Sequence, residues 1–176
     1  LRCCVSSWLR TADNAIPIRL KCGANYQNGR LATLQAKADG YDGPILINQR
    51  GTVAEGTGAT FFMVRKGRLV TPPVTSDILE SITRATLIED LCPSVLGMDV
   101  VEREIARTEL YVAEEAFFCG SGYEITPIVS IDRFPVGDGG VGPMTRRLLS
   151  AYMDLVRGVD KRHAEWRTPV YSAVAV

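Results

Sequence analysis

The sequence predicts a mixed α/β domain, and three observations carry that expectation. Short runs rich in β-branched and aromatic residues recur from residue 2 to residue 136. Three stretches, near 25–39, 81–91 and 143–155, place apolar residues at the spacing of one helical face. Clusters of glycine, proline, asparagine and aspartate separate the two kinds of segment. At 176 residues and 46% hydrophobic content, the chain can bury a core as one domain.

In chain order, Arg2 to Trp8 is β-prone and residues 11–17, with Asp13, Asn14 and Pro17, form a loop. A helix over 25–39 is predicted by Leu31, Leu34 and Ala38 on one face, with Gly40 as its terminator. Residues 44–48 are a short apolar strand, 49–51 a turn, and 52–62 a β segment broken by glycines. A hairpin follows, turning at Lys66-Gly67 and ending in Thr-Pro-Pro at 71–73. A second helix starts near Ser81, with Ile82, Ala85, Ile88 and Leu91 expected on one face. Met98 to Ile105 reads as a strand, Thr108 caps a helical turn, and Ala116 to Cys119 is a strand entering Gly-Ser-Gly at 120–122. After a strand and hairpin over 126–136, Pro143 opens a helix with Met144, Leu148, Tyr152 and Leu155 on one side. Beyond Arg157 the composition turns polar.

Composition excludes several classes of function. Twenty basic residues balance twenty acidic ones, so no overall field favours nucleic acid or an anionic membrane. No run of eighteen apolar residues is present. Five cysteines, at 3, 4, 22, 92 and 119, show no metal-ligand spacing with the single His163, and read as free thiols in a reducing, cytoplasmic compartment. Ser-His-Asp catalysis would have to use His163 in the polar tail. The chain begins at Leu1 in what already reads as a mid-domain strand, so an N-terminal truncation is expected.

Lys21 is the candidate for chemistry. Only four lysines stand against sixteen arginines, and Lys37, Lys66 and Lys161 lie in polar, turn-like or helical surroundings. A lysine acts as nucleophile near neutral pH when burial or neighbouring cations destabilise its ammonium; the competing interpretation is a lysine that merely solvates a loop. Glu55, at the end of a β segment with Gly56 and Gly58 behind it, would point into a site, although such glycines also mark bulges. The first turn near Ser81 and the glycine turn at 120–122 offer free amides to an anion, or simply cap and turn the chain.

In order, Lys-x-Gly-x-Asn-Tyr at 21–26, Ala-Glu-Gly-x-Gly at 54–58, Ile-Thr-Arg at 82–84, Tyr-x-Ala-x-Glu at 111–115 and Gly-Ser-x-x-Glu-Ile-Thr-Pro at 120–127 resemble the class IV pyridoxal-phosphate aminotransferases. The branched-chain amino acid aminotransferase type is nearest, and Gly-Pro-x-Thr at 142–145 adds to that likeness. The resemblance spans about residues 5–157, leaving 158–176 as a tail. It implies the large C-terminal domain of a fold-type IV enzyme, with mixed sheets in a pseudo-barrel flanked by helices. The smaller N-terminal domain, which supplies a phosphate-binding arginine and part of the substrate pocket in the family, has no counterpart here. Thr60, Ser81 and Ser121 stand where the family pattern more often has asparagine, glycine and threonine.

By that resemblance Lys21 is the Schiff-base lysine for pyridoxal 5′-phosphate and Tyr26 bonds the cofactor's phenolic oxygen. Glu55 pairs with the pyridine nitrogen, and Ile82, Thr83 and Ser121 hold the phosphate. The amides of Ser121 and Gly122 face the substrate carboxylate. The implied reaction moves the amino group of a branched-chain L-amino acid to 2-oxoglutarate, so the partners are amino acid and 2-oxo acid substrates, in a homo-oligomer of two or more chains. Alternatives are a D-amino-acid or amine aminotransferase or an aminodeoxychorismate lyase of the same fold, or an inert fragment that only self-associates.

Overall fold

The computed structural model describes residues 1–171; the end of the tail, 172–176, lies outside the described residues. Its frame is a ten-stranded mixed sheet: β1 (Arg2–Val5), β2 (Gly43–Ile47), β3 (Val53–Gly56), β4 (Thr60–Arg65), β5 (Arg68–Thr71), β6 (Val101–Glu102), β7 (Glu115–Gly120), β8 (Glu124–Ile128), β9 (Ser130–Ile131) and β10 (Phe134–Pro135). The main path runs β10-β9-β1-β2-β3-β4-β5-β6, while β7 joins β4 to β8. Pairing is parallel at β1/β2, β1/β9 and β5/β6, and antiparallel elsewhere.

The branch at β4 creates the working geometry. Along one edge, β7 pairs with residues 60–64 in unbroken register. Along the other edge, β3 holds β4 only through Glu55 opposite Thr60, and β5 takes over at Met63 to Arg65. The sheet therefore curls and splits at the start of β4, and Glu55 sits at the split.

Two apolar layers hold this frame. One packs Phe61, Met63 and Phe118 with Ile45, Val53, Ile105 and Ile131. The other packs Phe62, Phe117 and Leu69 against Leu87, Leu91, Leu148 and Tyr152. Alternation along β4 sends Phe61 and Met63 to one layer and Phe62 and Val64 to the other, as a strand buried on both faces requires.

Helix α1 (Gln27–Ala38) ends at Asp39, with Gly40 at φ +81° as expected. Its buried face differs from the expected one. Gly29, Ala32 and Ala36 lie against the body, whereas Leu31 and Leu34 are exposed. Gly29 shows why: a Cβ there would come within 3.3 Å of the Thr57 side chain, so small residues set a close approach that leucines would prevent.

The second helical region also departs from a simple face. Helix α2 (Ile82–Thr86) runs into a π-helical stretch, Leu87–Leu96, which buries Leu87, Leu91 and Cys92 and leaves Ile82 exposed. Helix α3 (Pro143–Val156) matches its expected face, burying Leu148, Tyr152 and Leu155. Its first turn is fixed by Glu115 of β7, which accepts from the amides of Met144 and Thr145 at 3.0 and 2.8 Å and from the Thr145 hydroxyl at 2.6 Å. A Cβ on Gly142 would overlap that carboxylate.

Several shorter expectations are corrected. The first strand stops at Val5, because the Ser6 hydroxyl accepts from the Trp8 amide and turns the chain. The strand expected over 98–105 is regular only at Val101–Glu102, since the extended segment changes partners: Arg103 donates to Thr71, while Ile105 accepts from Val53. Thr108 lies inside a 3₁₀ turn, Arg107–Val112, preceded by Ala106, rather than capping it. The strand and hairpin expected over 126–136, by contrast, are found, as β8 and the antiparallel pair β9 and β10, which turns at Asp132 and Arg133 with φ 50° and 70°. All five cysteines are free, with Cys22 exposed and Cys3, Cys92 and Cys119 buried.

Candidate active site

A cleft of about 250 Å³ opens where the sheet splits. Lys21 and Tyr26 line it from one side, Glu55 and the 58–60 turn form its floor, and Leu79 to Ile82 with Gly120 and Ser121 close the rest. Each contribution has a local cause. Glu55 and Thr60 are brought opposite one another by the β3–β4 pair, and Cys119 pairs with Thr60 from β7, which delivers Gly120 and Ser121 to the same end.

Gly56 is explained by packing rather than by a ligand. Its Cβ would lie 2.9 Å from the Phe118 ring. Gly58 lines the cleft itself.

The loop carrying Lys21 is held by a residue just beyond it. The side-chain amide of buried Asn25 donates to the carbonyls of Pro17 and Leu20 at 2.9 and 2.8 Å, and Ile18 is buried as the loop's apolar anchor. Lys21 itself is exposed at the rim, and Tyr26 behind it is half-buried.

Glu55 is 7% exposed, and its two oxygens differ. One meets the Arg10 guanidinium at 2.7 Å; the other accepts from the Leu79 amide at 3.2 Å. Burial pushes the Glu55 carboxyl up to about 7, opposed by the positive charge of Arg10 and by those hydrogen bonds. At neutral pH this group stands ready to take or give up charge as the cleft's contents change.

At the third side, the Ser81 hydroxyl caps α2 by accepting from the Arg84 amide at 3.3 Å. Arg84 is buried and donates to the Pro72 carbonyl at 2.9 Å and to Glu102 at 2.5 Å, tying the helix start to the sheet. Ile82 projects at the cleft margin, 79% exposed.

Of the residues singled out from sequence, Lys21, Tyr26, Glu55, Ile82 and Ser121 share this cleft. Thr83 and Gly122 do not line it. Thr83 is buried and lines an adjoining depression with Ile82, Ser121 and Tyr152, and Gly122 is exposed beyond the turn. Sequence reasoning missed Arg10, the buried partner of Glu55, because an arginine between a strand and a loop carries no periodicity that announces burial. It also assigned no role to Asn25 and overlooked Arg19 and Glu80, which pair at 2.8 Å on the cleft rim.

The model of the family described as Amino-transferase class IV matches residues 1–131. The chain belongs to the class IV aminotransferases. It is 45% identical to a probable branched-chain-amino-acid aminotransferase of Aquifex aeolicus (strain VF5), over 97% of this chain and 55% of that protein. With the branched-chain-amino-acid aminotransferase of Escherichia coli (strain K12) it shares 40% identity over 92% of this chain and 52% of that one. Among solved structures, the branched-chain amino acid aminotransferase from Thermobaculum terrenum in PLP-form superposes with a TM-score of 0.93 at 50% identity, covering 98% of this chain and 56% of that chain. The branched-chain aminotransferase of the thermophilic archaeon Thermoproteus uzoniensis, solved with norvaline, gives a TM-score of 0.90 at 41% identity, over 97% and 56%. The mixed α/β architecture with a curled sheet is thus that of these class IV enzymes. This class IV chain spans about half the length of the curated relatives it matches.

Proposed function

We propose that this chain supplies the cofactor-binding domain of a pyridoxal 5′-phosphate-dependent aminotransferase that moves the amino group of branched-chain L-amino acids to 2-oxoglutarate. The observation that carries the proposal is the gathering of a lysine, a tyrosine and a buried carboxylate on one cleft, in a chain similar to aminotransferases of the branched-chain type. The residues fit the group. A carboxylate raised to about 7 by burial gains from a second cation, and a protonated ring nitrogen is such a cation.

Bound there, pyridoxal phosphate supplies an electron sink for charge developing at the substrate α-carbon. Glu55 holds the ring proton, and Tyr26 orients the ring through its phenolic oxygen. Ile82 and Ser121 take the phosphate from the cleft and Thr83 from the depression that adjoins it, and the amides of Ser121 and, beyond the turn, Gly122 take the substrate carboxylate. Lys21 anchors the cofactor and takes the α-proton. We place the domain over about residues 5–157, with 158–176 as tail, and assign the remaining part of the substrate pocket and a further phosphate-binding arginine to the part of the relatives' length that lies outside the matched residues. The working form is a cytoplasmic homo-oligomer.

Borohydride reduction of the complete enzyme loaded with pyridoxal phosphate tests the proposal at its root. Peptide mass analysis should find the cofactor fixed to the peptide containing Lys21, and Lys21→Ala should abolish the label. The other lysines do not line the cleft: Lys66 sits in a hairpin turn at φ 52° and Lys161 donates to the Gly158 carbonyl at 2.8 Å. Label on Lys37, Lys66 or Lys161 would overturn it.

A further inference from the structure

We propose that Arg10 is the positioning residue of this site, a single guanidinium that fixes the Glu55 carboxylate and, through the Asn25 carbonyl, the loop that presents Lys21. The inference rests on the function proposed above only for what the site is used for; the coupling itself belongs to this chain's own geometry.

Arg10 follows β1 and is 6% exposed. Its backbone amide donates to the Ile47 carbonyl at 2.8 Å, so the residue is pinned to β2 before its side chain enters the interior. From there the guanidinium makes three contacts on three different segments. Nε lies 2.7 Å from Glu55 Oε1 on β3 and 3.1 Å from the Asp77 carbonyl in the turn that leads to α2. Nη1 donates to the Asn25 carbonyl at 2.7 Å. Asn25 in turn clamps Pro17 and Leu20, either side of the loop that ends at Lys21. The Asp77 turn continues to Leu79, whose amide is the second partner of Glu55.

The carboxylate, the amine-bearing loop and the approach to α2 are therefore strapped to one rigid fork. An arginine is suited to this and a lysine is not, because the planar guanidinium offers several donors in fixed directions. The other charged groups gathered around Glu55 are Lys21 and Arg19 from the loop and Glu80 and Asp77 from the segment before α2. The direct ionic contact of Glu55 is with Arg10. Glu55 gives Arg10 its charge partner, but the two carbonyls give it a separate purpose, which persists when Glu55 is neutral.

Amide hydrogen exchange on the cofactor-free chain tests this without reference to activity. Arg10→Lys keeps a charge beside Glu55 and loses the fork; exchange across residues 18–26 should rise about tenfold, as expected for the loss of a charged hydrogen bond that governs local opening. Glu55→Gln, which leaves both carbonyl contacts in place, should leave exchange in that loop within about twofold of the parent on the same scale. The double variant Arg10→Gln/Glu55→Gln removes the buried unpaired charge that could prevent Arg10→Gln alone from folding, and should repeat the loop effect. Unchanged loop exchange in Arg10→Lys and in the double variant overturns the proposal, as does an equal rise in Glu55→Gln. Failure of the borohydride test with the exchange result intact would remove the assigned chemistry and leave the coupling standing.

Discussion

Two carboxylates in this fold are each 7% exposed, Glu55 on β3 and Glu115 on β7, and they are employed in opposite ways. Glu115 is saturated by neutral donors, two amides and a hydroxyl from the first turn of α3. Glu55 has one cation and one amide, and its remaining surface lines the cleft. Equal burial thus conceals unequal purpose: a carboxylate whose acceptor sites are filled by a helix start is architecture, and one left open toward a cleft retains capacity for a ligand.

The comparison breaks most clearly on turnover. In the complete enzyme Glu55→Gln should lower transamination by about a hundredfold or more, because a neutral amide cannot hold the ring proton, and single-turnover cofactor conversion should carry the loss. Glu115→Gln should stay within about tenfold of the parent in the same assay. A parent-like rate in Glu55→Gln would erase the distinction.

Stability should reverse the order. Glu115→Ala strips three donors of their acceptor at once and should cost about 2 to 4 kcal/mol in denaturant unfolding. Loss of the helix start should be visible as faster exchange across 143–147.

The pH dependence of stability sharpens the contrast further. The folded-state value for Glu55, about 7, lies above its ordinary 4.5, so the folded chain binds that proton more tightly than the unfolded one. Its contribution is complete below about pH 4.5 and is lost as pH rises through about 7, a change of roughly 3 kcal/mol. Cofactor-free Glu55→Gln should flatten that decline in a series of unfolding curves; an unaltered slope would show that another group causes it.

The smallest effect is a coupling. Gly142→Ala should cost about 1 to 3 kcal/mol in the parent by overlap with the Glu115 carboxylate, and close to nothing in Glu115→Ala, where the obstacle is gone. Equal costs in both backgrounds would place the glycine's role elsewhere.

What sequence could reveal followed the physics of each element. The β4–β5 hairpin announces itself, because Lys66-Gly67 supplies the two positive φ values a tight turn needs between apolar runs. Helix α3 does so as well, since its apolar face is also its buried face. Helix α1 misleads: hydrophobicity nominates Leu31 and Leu34, but close approach to Thr57 selects the small residues of the opposite side. The candidate site divides in the same manner. Lys21, Tyr26 and Glu55 lie in recognisable motifs, whereas Arg10 matters through three contacts to segments 15 to 67 positions away, and no local pattern encodes such a convergence.

The wider winding at Leu87–Leu96 acts as a phase adjuster between two surfaces that the same helical region must serve. Upstream, Ile82 and Ser81 have to meet the cleft; downstream, Leu87, Leu91 and Cys92 have to meet the core. Removing one residue within that stretch would rotate everything before it by about 100° relative to the core, the angular step of an α-helix. The cleft margin would then turn away, and any of Leu87, Leu91 and Cys92 that precede the missing residue would turn out of the core with it. Insertions and deletions between positions 87 and 96 should for that reason be felt at the site and in the second apolar layer together.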